Sequence, residues 1–146
     1  MSTTSAVPTG PATPSTDARR RTLARAGAAS GALMIIGGAG PWVNTNVETI
    51  YGYDRDGAIY IGMGVLVILF MLWRGARSRW PSIVTLIFGV VGIVAGAIDL
   101  ESVTDPEGFV RLVDPSAGWA LYLAIVASVI AVGVAIALIV RPRNRG

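Results

Sequence analysis

Apolar residues are concentrated in four blocks of the chain, and none of these blocks contains Asp, Glu or Arg. The blocks cover residues 26–43, 58–73, 81–98 and 117–140. A helix of about 20 apolar residues crosses the hydrocarbon core of a bilayer. The fourth block exceeds that length, the second is short but strongly apolar, and the first is the weakest because Ala and Gly contribute little apolar area. The pattern predicts four transmembrane helices, since a soluble all-α domain of this size could not hide four uncharged blocks.

The charged residues between the blocks are distributed asymmetrically. Ten arginines and one acid lie in the two chain ends and in the link between blocks two and three, whereas the other two links hold eight acids and two arginines. Arginine on short loops favours the cytoplasmic side of a membrane. We therefore expect both termini to be cytoplasmic and the protein to reside in the inner (cytoplasmic) membrane. The arginines expected to set this topology and to contact anionic phospholipid headgroups are Arg19, Arg20, Arg21, Arg25, Arg74, Arg77, Arg79, Arg141, Arg143 and Arg145.

These features predict an all-α fold, an integral membrane four-helix bundle over residues 26–140 with both ends inside the cell. Residues 1–25 are predicted to form a disordered basic tail, because the Ser-, Thr- and Pro-rich start cannot bury enough apolar surface to fold. Residues 141–146 form a second basic tail. The link over residues 99–116 mixes apolar and acidic residues. It is predicted to lay a short amphipathic piece on the outer face.

Small residues recur within the apolar blocks, and the four tryptophans lie at block ends. Helices in a bilayer approach closely where small residues meet, and indole rings prefer the membrane–water interface. We interpret the small residues mainly as internal packing, with an oligomer interface as the alternative. The packing candidates are Gly27, Gly31, Gly89, Gly92, Gly96, Ala127, Ala131 and Ala135. The interface anchors are predicted to be Trp42, Trp73, Trp80 and Trp119.

The composition excludes several kinds of chemistry. The chain has no histidine and no cysteine, which removes imidazole and thiolate metal sites, disulfides and the usual catalytic triads. The run Asp54–Gly57 matches only half of a calcium loop, because Gly52 occupies an earlier ligand position and no bidentate Glu follows. A turn and helix cap is the better interpretation. We expect no enzymatic activity, no cofactor and no metal site.

The net charge of +3 and the pI near 10 do not indicate a nucleic-acid partner. The net charge of +3 is the sum of a net charge of +9 on one side of the predicted membrane and a net charge of −6 on the other. The arginines are divided among three short segments with no folded domain to present them. The expected partners are the lipid bilayer, anionic phospholipids and a second membrane protein or a further copy of the chain, with no nucleic acid.

Two short motifs resemble a group of bacterial membrane proteins. The run Gly38–Val43, which contains Gly-Pro-Trp, is followed by Gly52–Gly57 in the pattern Gly-x-Asp-x-Asp-Gly. This arrangement resembles small four-span membrane proteins of actinobacteria or their phages. The absence of lysine and the abundance of arginine and alanine look like the product of a high-GC genome. The resemblance implies an origin and a fold rather than an activity.

Two functional hypotheses follow. The leading one is a non-enzymatic multi-pass protein that serves as an accessory or interaction component of the cell membrane. The alternative is an oligomeric membrane-permeabilising or channel protein of holin or prophage-exclusion type, because small size, up to four spans and a short basic C-terminal tail are typical of that format. Ion-coupled transport is disfavoured, since the four blocks contain no ionisable Asp, Glu or Arg and few hydroxyl groups.

Overall fold

The computed structural model of the chain describes residues 16–74, 79–104 and 116–140. In these residues it contains four α-helices, three short strands and one 3-10 turn. In chain order the elements are α1 (Thr16–Ala39), β1 (Pro41–Asn44), β2 (Thr49–Tyr51), the 3-10 turn (Gly52–Asp54), α2 (Gly57–Arg74), α3 (Trp80–Thr104), β3 (Ser116–Ala117) and α4 (Trp119–Val140).

Each predicted apolar block lies mainly on one helix, so the predicted helical fold is confirmed. Helices α1, α3 and α4 are long and apolar enough to cross a membrane. The apolar part of α2, Gly57–Trp73, is shorter than these three. Three helices of this length and apolar composition are compatible with a location in a membrane.

The bounds of α1 differ from the prediction at both ends. Helix α1 begins at Thr16, so the predicted disorder over residues 1–25 is wrong for residues 16–25. This stretch is rich in Arg, Ala and Leu, which are good helix formers, and it continues directly into the apolar block. The remainder of that tail, residues 1–15, and the tail over residues 141–146 lie outside the described residues.

Helix α1 ends at Ala39, four residues before the end of the predicted block. Pro41 cannot donate a main-chain hydrogen bond, and a proline disfavours helical geometry in the residue before it. The chain leaves the helix at Gly40, whose amide donates the final bond to the carbonyl of Ile36 at 3.0 Å. The residues Pro41–Asn44 therefore form a strand and do not belong to the first span.

The three strands form a small antiparallel sheet in the order β2-β1-β3. The central strand β1 pairs with β2 through Val43 opposite Ile50, and with β3 through Val43 opposite Ala117. The sequence did not predict this sheet, because strands of two to four residues give no readable alternation. The link expected to carry an amphipathic piece begins as a continuation of α3 to Thr104, and residues 105–115 lie outside the described part.

The four helices, which together we name the helical body, pack side by side in alternating directions. Helix α1 packs against α2 and α4, and α3 packs against α4. Gly37 lies beside Ala124 and Gly40 lies beside Ala120, so α1 and α4 run antiparallel. The end at which α1 begins and α4 ends is named the basic end. The opposite end, which carries the sheet and the acidic links, is named the acidic end.

Candidate functional site

On helix α3 the exposed positions carry large aliphatic side chains, and the buried positions carry mainly small ones. On α3 the buried positions include Ser82, Thr85, Gly89, Gly92 and Gly96. The exposed positions of the same helix carry Ile83, Ile87, Val90, Val91, Val94 and Ile98. A soluble helix has the reverse arrangement, with its large apolar residues inside. Small residues at helix contacts and large apolar residues outside are typical of helices surrounded by lipid.

The glycines of α3 that the sequence singled out lie at its contact with α4. A Cβ atom at Gly89 would stand 2.7 Å from Cγ2 of Val132 and 2.9 Å from the carbonyl oxygen of Ser128. Gly92 lies against the Ser128 side chain, and Gly96 lies against Ile125. The structure therefore places all three glycines at an internal helix contact that a larger residue would force apart.

The glycines of α1 face α2 in a similar way. A Cβ atom at Gly31 would stand 2.7 Å from the carbonyl oxygen of Gly64, and one at Gly27 would stand 3.1 Å from the Met71 side chain. The predicted small positions of α4 are fully buried inside the same helical body, and they are Ala127, Ala131 and Ala135. All the small residues singled out by sequence are thus engaged within one chain.

The four tryptophans do not share one environment. Trp73, Trp80 and Trp119 are exposed near helix ends, which suits an interface position. Trp42 is only 1% exposed and lies in β1 rather than in a helix. Its indole nitrogen donates a hydrogen bond to the carbonyl oxygen of Gly37 at 2.8 Å. The assignment of Trp42 as an interface anchor is therefore corrected: its ring is part of the core beneath the sheet.

The arginines of the basic end divide into exposed and buried side chains. Arg19, Arg21, Arg25 and Arg79 are exposed, as expected of residues that set topology and meet headgroups. Arg20 is 6% exposed, and it is the only buried arginine among the side chains that the structure describes. The side chains of the other predicted topology residues, Arg74, Arg77, Arg141, Arg143 and Arg145, lie outside the description.

The sheet is fixed to the acidic end of the helical body by close main-chain contacts. Gly52 lies against Gly38 and the Trp42 ring, and Gly118 lies against Pro41, at separations that leave no room for a Cβ atom. The Gly52 amide donates to the Gly40 carbonyl at 2.8 Å, and the Gly118 amide donates to the Trp42 carbonyl at 2.6 Å. The strands and the 3-10 turn therefore form a cap that is hydrogen-bonded over the helix ends. We name residues 41–54 the hairpin cap.

The hairpin cap exposes aromatic and apolar side chains beside acidic ones. The rings of Tyr51 and Tyr53 stack at a centroid distance of 5.5 Å with 12° between their planes. Both tyrosines are exposed, and Val47 at the tip is 82% exposed. The acids of the same region, Glu48 and Asp54, are also exposed. Exposed tyrosines are enriched on surfaces that contact other proteins, and charged residues belong to the polar rim of such surfaces.

The hydroxyl groups of the predicted spans all face the interior, apart from Tyr122. Ser30 donates to the Gly27 carbonyl at 2.7 Å, Ser128 donates to the Ala124 carbonyl at 2.8 Å, and Tyr60 donates to the Gly92 carbonyl. Two buried hydroxyls, those of Ser82 and Thr85, have no hydrogen-bond partner. The sequence shows that the predicted spans contain few hydroxyl groups, but it could not show that these groups face the interior of the helical body.

The acidic motif Asp54–Gly57 lies where the 3-10 turn meets α2. The Arg55 amide donates to the Gly52 carbonyl at 2.9 Å, and the Ile59 amide donates to the Asp56 carbonyl at 2.9 Å. The motif thus forms a turn and the start of a helix. Across residues 16–74, 79–104 and 116–140 there is no group of three or more carboxylates that could hold a metal ion.

Comparisons with protein-family models, with curated proteins and with solved structures give no match for this chain. The features of this chain that bear on function are therefore the membrane-compatible helices, the hairpin cap and the buried polar groups.

Proposed function

We propose that this protein is a non-enzymatic four-span membrane protein, both of whose termini are cytoplasmic, and that it acts as an interaction component of the cell membrane. The large apolar side chains exposed on α2, α3 and α4 support the membrane location of these helices, including the shorter α2. Trp73 and the arginine-rich link that follows can extend α2 to the interface. The proposed actinobacterial or phage origin rests on the sequence motifs alone.

The hairpin cap is the proposed contact surface. It is the observation that carries an interaction role, because main-chain hydrogen bonds attach the cap to the helix ends and leave Val47, Tyr51 and Tyr53 exposed outside the helical body. Rigid exposed aromatic residues provide contact area at little cost in conformational entropy. With Glu48 and Asp54 beside them, these residues fit a partner segment that carries basic and apolar side chains.

A photo-crosslinking amino acid at Val47 tests this proposal in cells that contain the natural partner. We expect a crosslinked product from Val47 that is lost when Tyr51 and Tyr53 are both replaced by Ser. The matched control places the same crosslinker at Val129, which is 52% exposed on α4 and faces lipid in this proposal. The interaction role is rejected if Val47 gives no product, or if its product persists in the double tyrosine variant.

The permeabilising alternative makes a different prediction. Within the described residues the helices are closely packed, with Gly31 and Gly64 in main-chain contact and large side chains such as Tyr60 buried between helices, so a pore would have to form between copies of the chain. Inducible expression with a potential-sensitive dye tests it. A collapse of the membrane potential at moderate expression favours the alternative, and an unchanged potential at high expression rejects it.

A further inference from the structure

The two stacked tyrosines of the hairpin cap lie beside the last turn of α1 rather than beyond its end. Gly52 separates Tyr51 from Tyr53 in the sequence, and its backbone approaches the main-chain carbonyl of Gly38 too closely for a Cβ atom to fit between them. The Gly52 amide also donates to the Gly40 carbonyl at 2.8 Å. Main-chain contacts therefore fix the position of the tyrosines along the helical body. We name this position the tyrosine level.

Close contacts align α2 and α4 with the tyrosine level. Gly57, the first residue of α2, also lies against the Gly38 carbonyl. Gly37 lies beside Ala124 of the antiparallel α4, so the residue after Gly37 is level with the residue before Ala124. The tyrosine level therefore crosses α2 at its first turn and crosses α4 within one residue of Tyr122.

Contacts between α3 and α4 extend the alignment to the remaining helix. Gly92 lies against Ser128 and Gly96 lies against Ile125, so these two helices are antiparallel. Ile98, two residues after Gly96, is therefore opposite the α4 residue that stands two positions before Ile125. That position of α4 is at the tyrosine level, and so Ile98 is at the same level.

The composition of the helices changes from apolar to charged at the tyrosine level. Ile59 in the first turn of α2 is 50% exposed, and Ile98 on α3 is 61% exposed. Asp56 directly precedes α2, and Asp99 directly follows Ile98. Charged residues are rare in the hydrocarbon core of a bilayer, whereas exposed apolar residues are typical of it. The tyrosine level therefore has the composition of a boundary between hydrocarbon and headgroups.

The length of α3 places the opposite boundary at a matching distance. Trp80 is the first residue of this helix and is exposed, as expected of an anchor at the other interface. Ile98 follows Trp80 by eighteen residues, which is about 27 Å along a helix axis. The hydrocarbon core of a typical bilayer is about 30 Å thick. A membrane that meets Trp80 at one interface therefore has its other interface within a few ångström of the tyrosine level.

Strand β1 leads away from this boundary, toward the tip of the hairpin cap. Asn44 at its end is paired with Ser116, which precedes α4 in the sequence. The three residues from Pro41 to Asn44 cover about 10 Å in an extended strand. Val47 follows in the connection to β2. The tip of the cap therefore extends beyond the tyrosine level, whereas the tyrosines remain at it.

We infer that Tyr51 and Tyr53 are seated in the phospholipid headgroup layer on the acidic side of the membrane, so that the base of the hairpin cap contacts lipid and only its tip extends into water. Both rings are exposed, and a side chain exposed at this level meets whatever surrounds the helices there. Tyrosine suits the position, because its ring is apolar and its hydroxyl is polar.

This inference rests on the membrane location in the proposed function, and it restricts how a partner can approach. A partner from the aqueous phase reaches Val47 and Glu48 at the tip without touching the bilayer. It reaches Tyr51 and Tyr53 only by displacing lipid.

The test uses nitroxide labels on single cysteines, since the chain has no cysteine of its own. Tyr53→Cys reports on the base of the cap, Val47→Cys on its tip, Tyr122→Cys on the same level of α4 and Val129→Cys on the exposed surface between the interfaces. The full chain is reconstituted in vesicles of phosphatidylcholine and phosphatidylglycerol. Electron paramagnetic resonance then measures collisions of each label with oxygen, which concentrates in lipid, and with a water-soluble nickel complex.

We expect the label at Tyr53 to collide with the nickel complex several-fold less often than the label at Val47, and about as often as the label at Tyr122. The label at Val129 should collide mainly with oxygen. Equal nickel accessibility at Tyr53 and Val47 would overturn the inference, and so would a Tyr53 label that neither reagent reaches, because protein would then cover it. A Val129 label that is open to nickel would reject the membrane location as well.

A second measurement keeps an aromatic ring at the base of the cap. A photoreactive phenylalanine derivative replaces Tyr53 in one variant and Val47 in the other, and both are irradiated in the same vesicles. We expect mass spectrometry to show addition of a phospholipid at Tyr53 and none at Val47. A crosslink from Tyr53 to a second copy of the chain, or no lipid product, would contradict the inference. Because the vesicles contain no partner, these results do not depend on the interaction role of the cap, which is tested separately in cells.

Discussion

The rings of Trp42 and Tyr60 meet edge to face, with their centroids 5.6 Å apart and their planes at 79°. Trp42 belongs to the hairpin cap and Tyr60 to α2, and both side chains are buried. The Tyr60 hydroxyl donates in turn to the Gly92 carbonyl of α3. One aromatic pair therefore connects the cap to two helices.

The first prediction concerns the hydroxyl of Tyr60. Tyr60→Phe keeps the aromatic contact with Trp42 but removes the hydrogen bond to Gly92, leaving a buried carbonyl with one partner fewer. We expect a loss of about 0.6–2 kcal/mol in the free energy of unfolding, the range measured for hydrogen bonds between membrane helices. Thermal unfolding in detergent measures it. Tyr122→Phe is the matched control, since Tyr122 is 48% exposed, and it should have no effect on stability. Equal melting temperatures for both variants would contradict the assignment.

The second prediction compares two glycines on helices that contact each other. Gly31→Ala on α1 would bring a Cβ atom to 2.7 Å from the main-chain carbonyl of Gly64, which cannot move without shifting α2. We expect destabilisation by about 1–3 kcal/mol, as for other overpacked contacts. Gly62→Ala on α2 has open space around it, so it should be neutral or slightly stabilising through helix propensity. Chemical or thermal unfolding of the purified variants measures the difference in stability. A larger loss of stability in Gly62→Ala than in Gly31→Ala would contradict this prediction and would mean that the open face of α2 is an interface between copies of the chain.

The third prediction concerns orientation, and the absence of cysteine makes it easy to test. Single cysteines replace Val47 in the hairpin cap and Thr22 near the basic end, both at exposed positions. If the termini are cytoplasmic, a membrane-impermeant maleimide should label Val47→Cys in intact cells and label Thr22→Cys only after lysis. The reverse pattern would invert the proposed topology.

The helices were predictable from sequence because a transmembrane helix is specified by a local property, an uncharged stretch of sufficient length. The same property explains the error at Trp42. Its apolar neighbours extended the first block to Val43, whereas Pro41 and the pairing of β1 with the nearby β2 and the distant β3 determine the local structure. Pairing between β1 and β3 joins residues more than seventy positions apart, and no local pattern reveals it.

The burial of single polar side chains was less predictable for a related reason. The sequence lists Arg20 among several equivalent arginines and gives Ser82 no special role. Their burial depends on which side of α1 and of α3 faces the interior, and that side is set by the glycines that contact α2 and α4. Tertiary packing therefore distinguishes Arg20 from Arg19 and Arg21, although all three have the same chemistry.

The fourth prediction concerns the large aliphatic surface of the helical body. Val129→Arg on α4 places a charge on a side chain that is 52% exposed. In water such a change on an exposed position alters stability by less than about 0.5 kcal/mol, whereas an arginine at the centre of a membrane helix costs about 2.5–3.5 kcal/mol on insertion scales. We therefore expect the fraction of the chain in carbonate-washed membranes to fall sharply. Val47→Arg makes the same substitution at an 82% exposed position of the hairpin cap and should leave that fraction unchanged. Full retention of Val129→Arg in the membrane would mean that this face of α4 meets water or a polar partner rather than lipid.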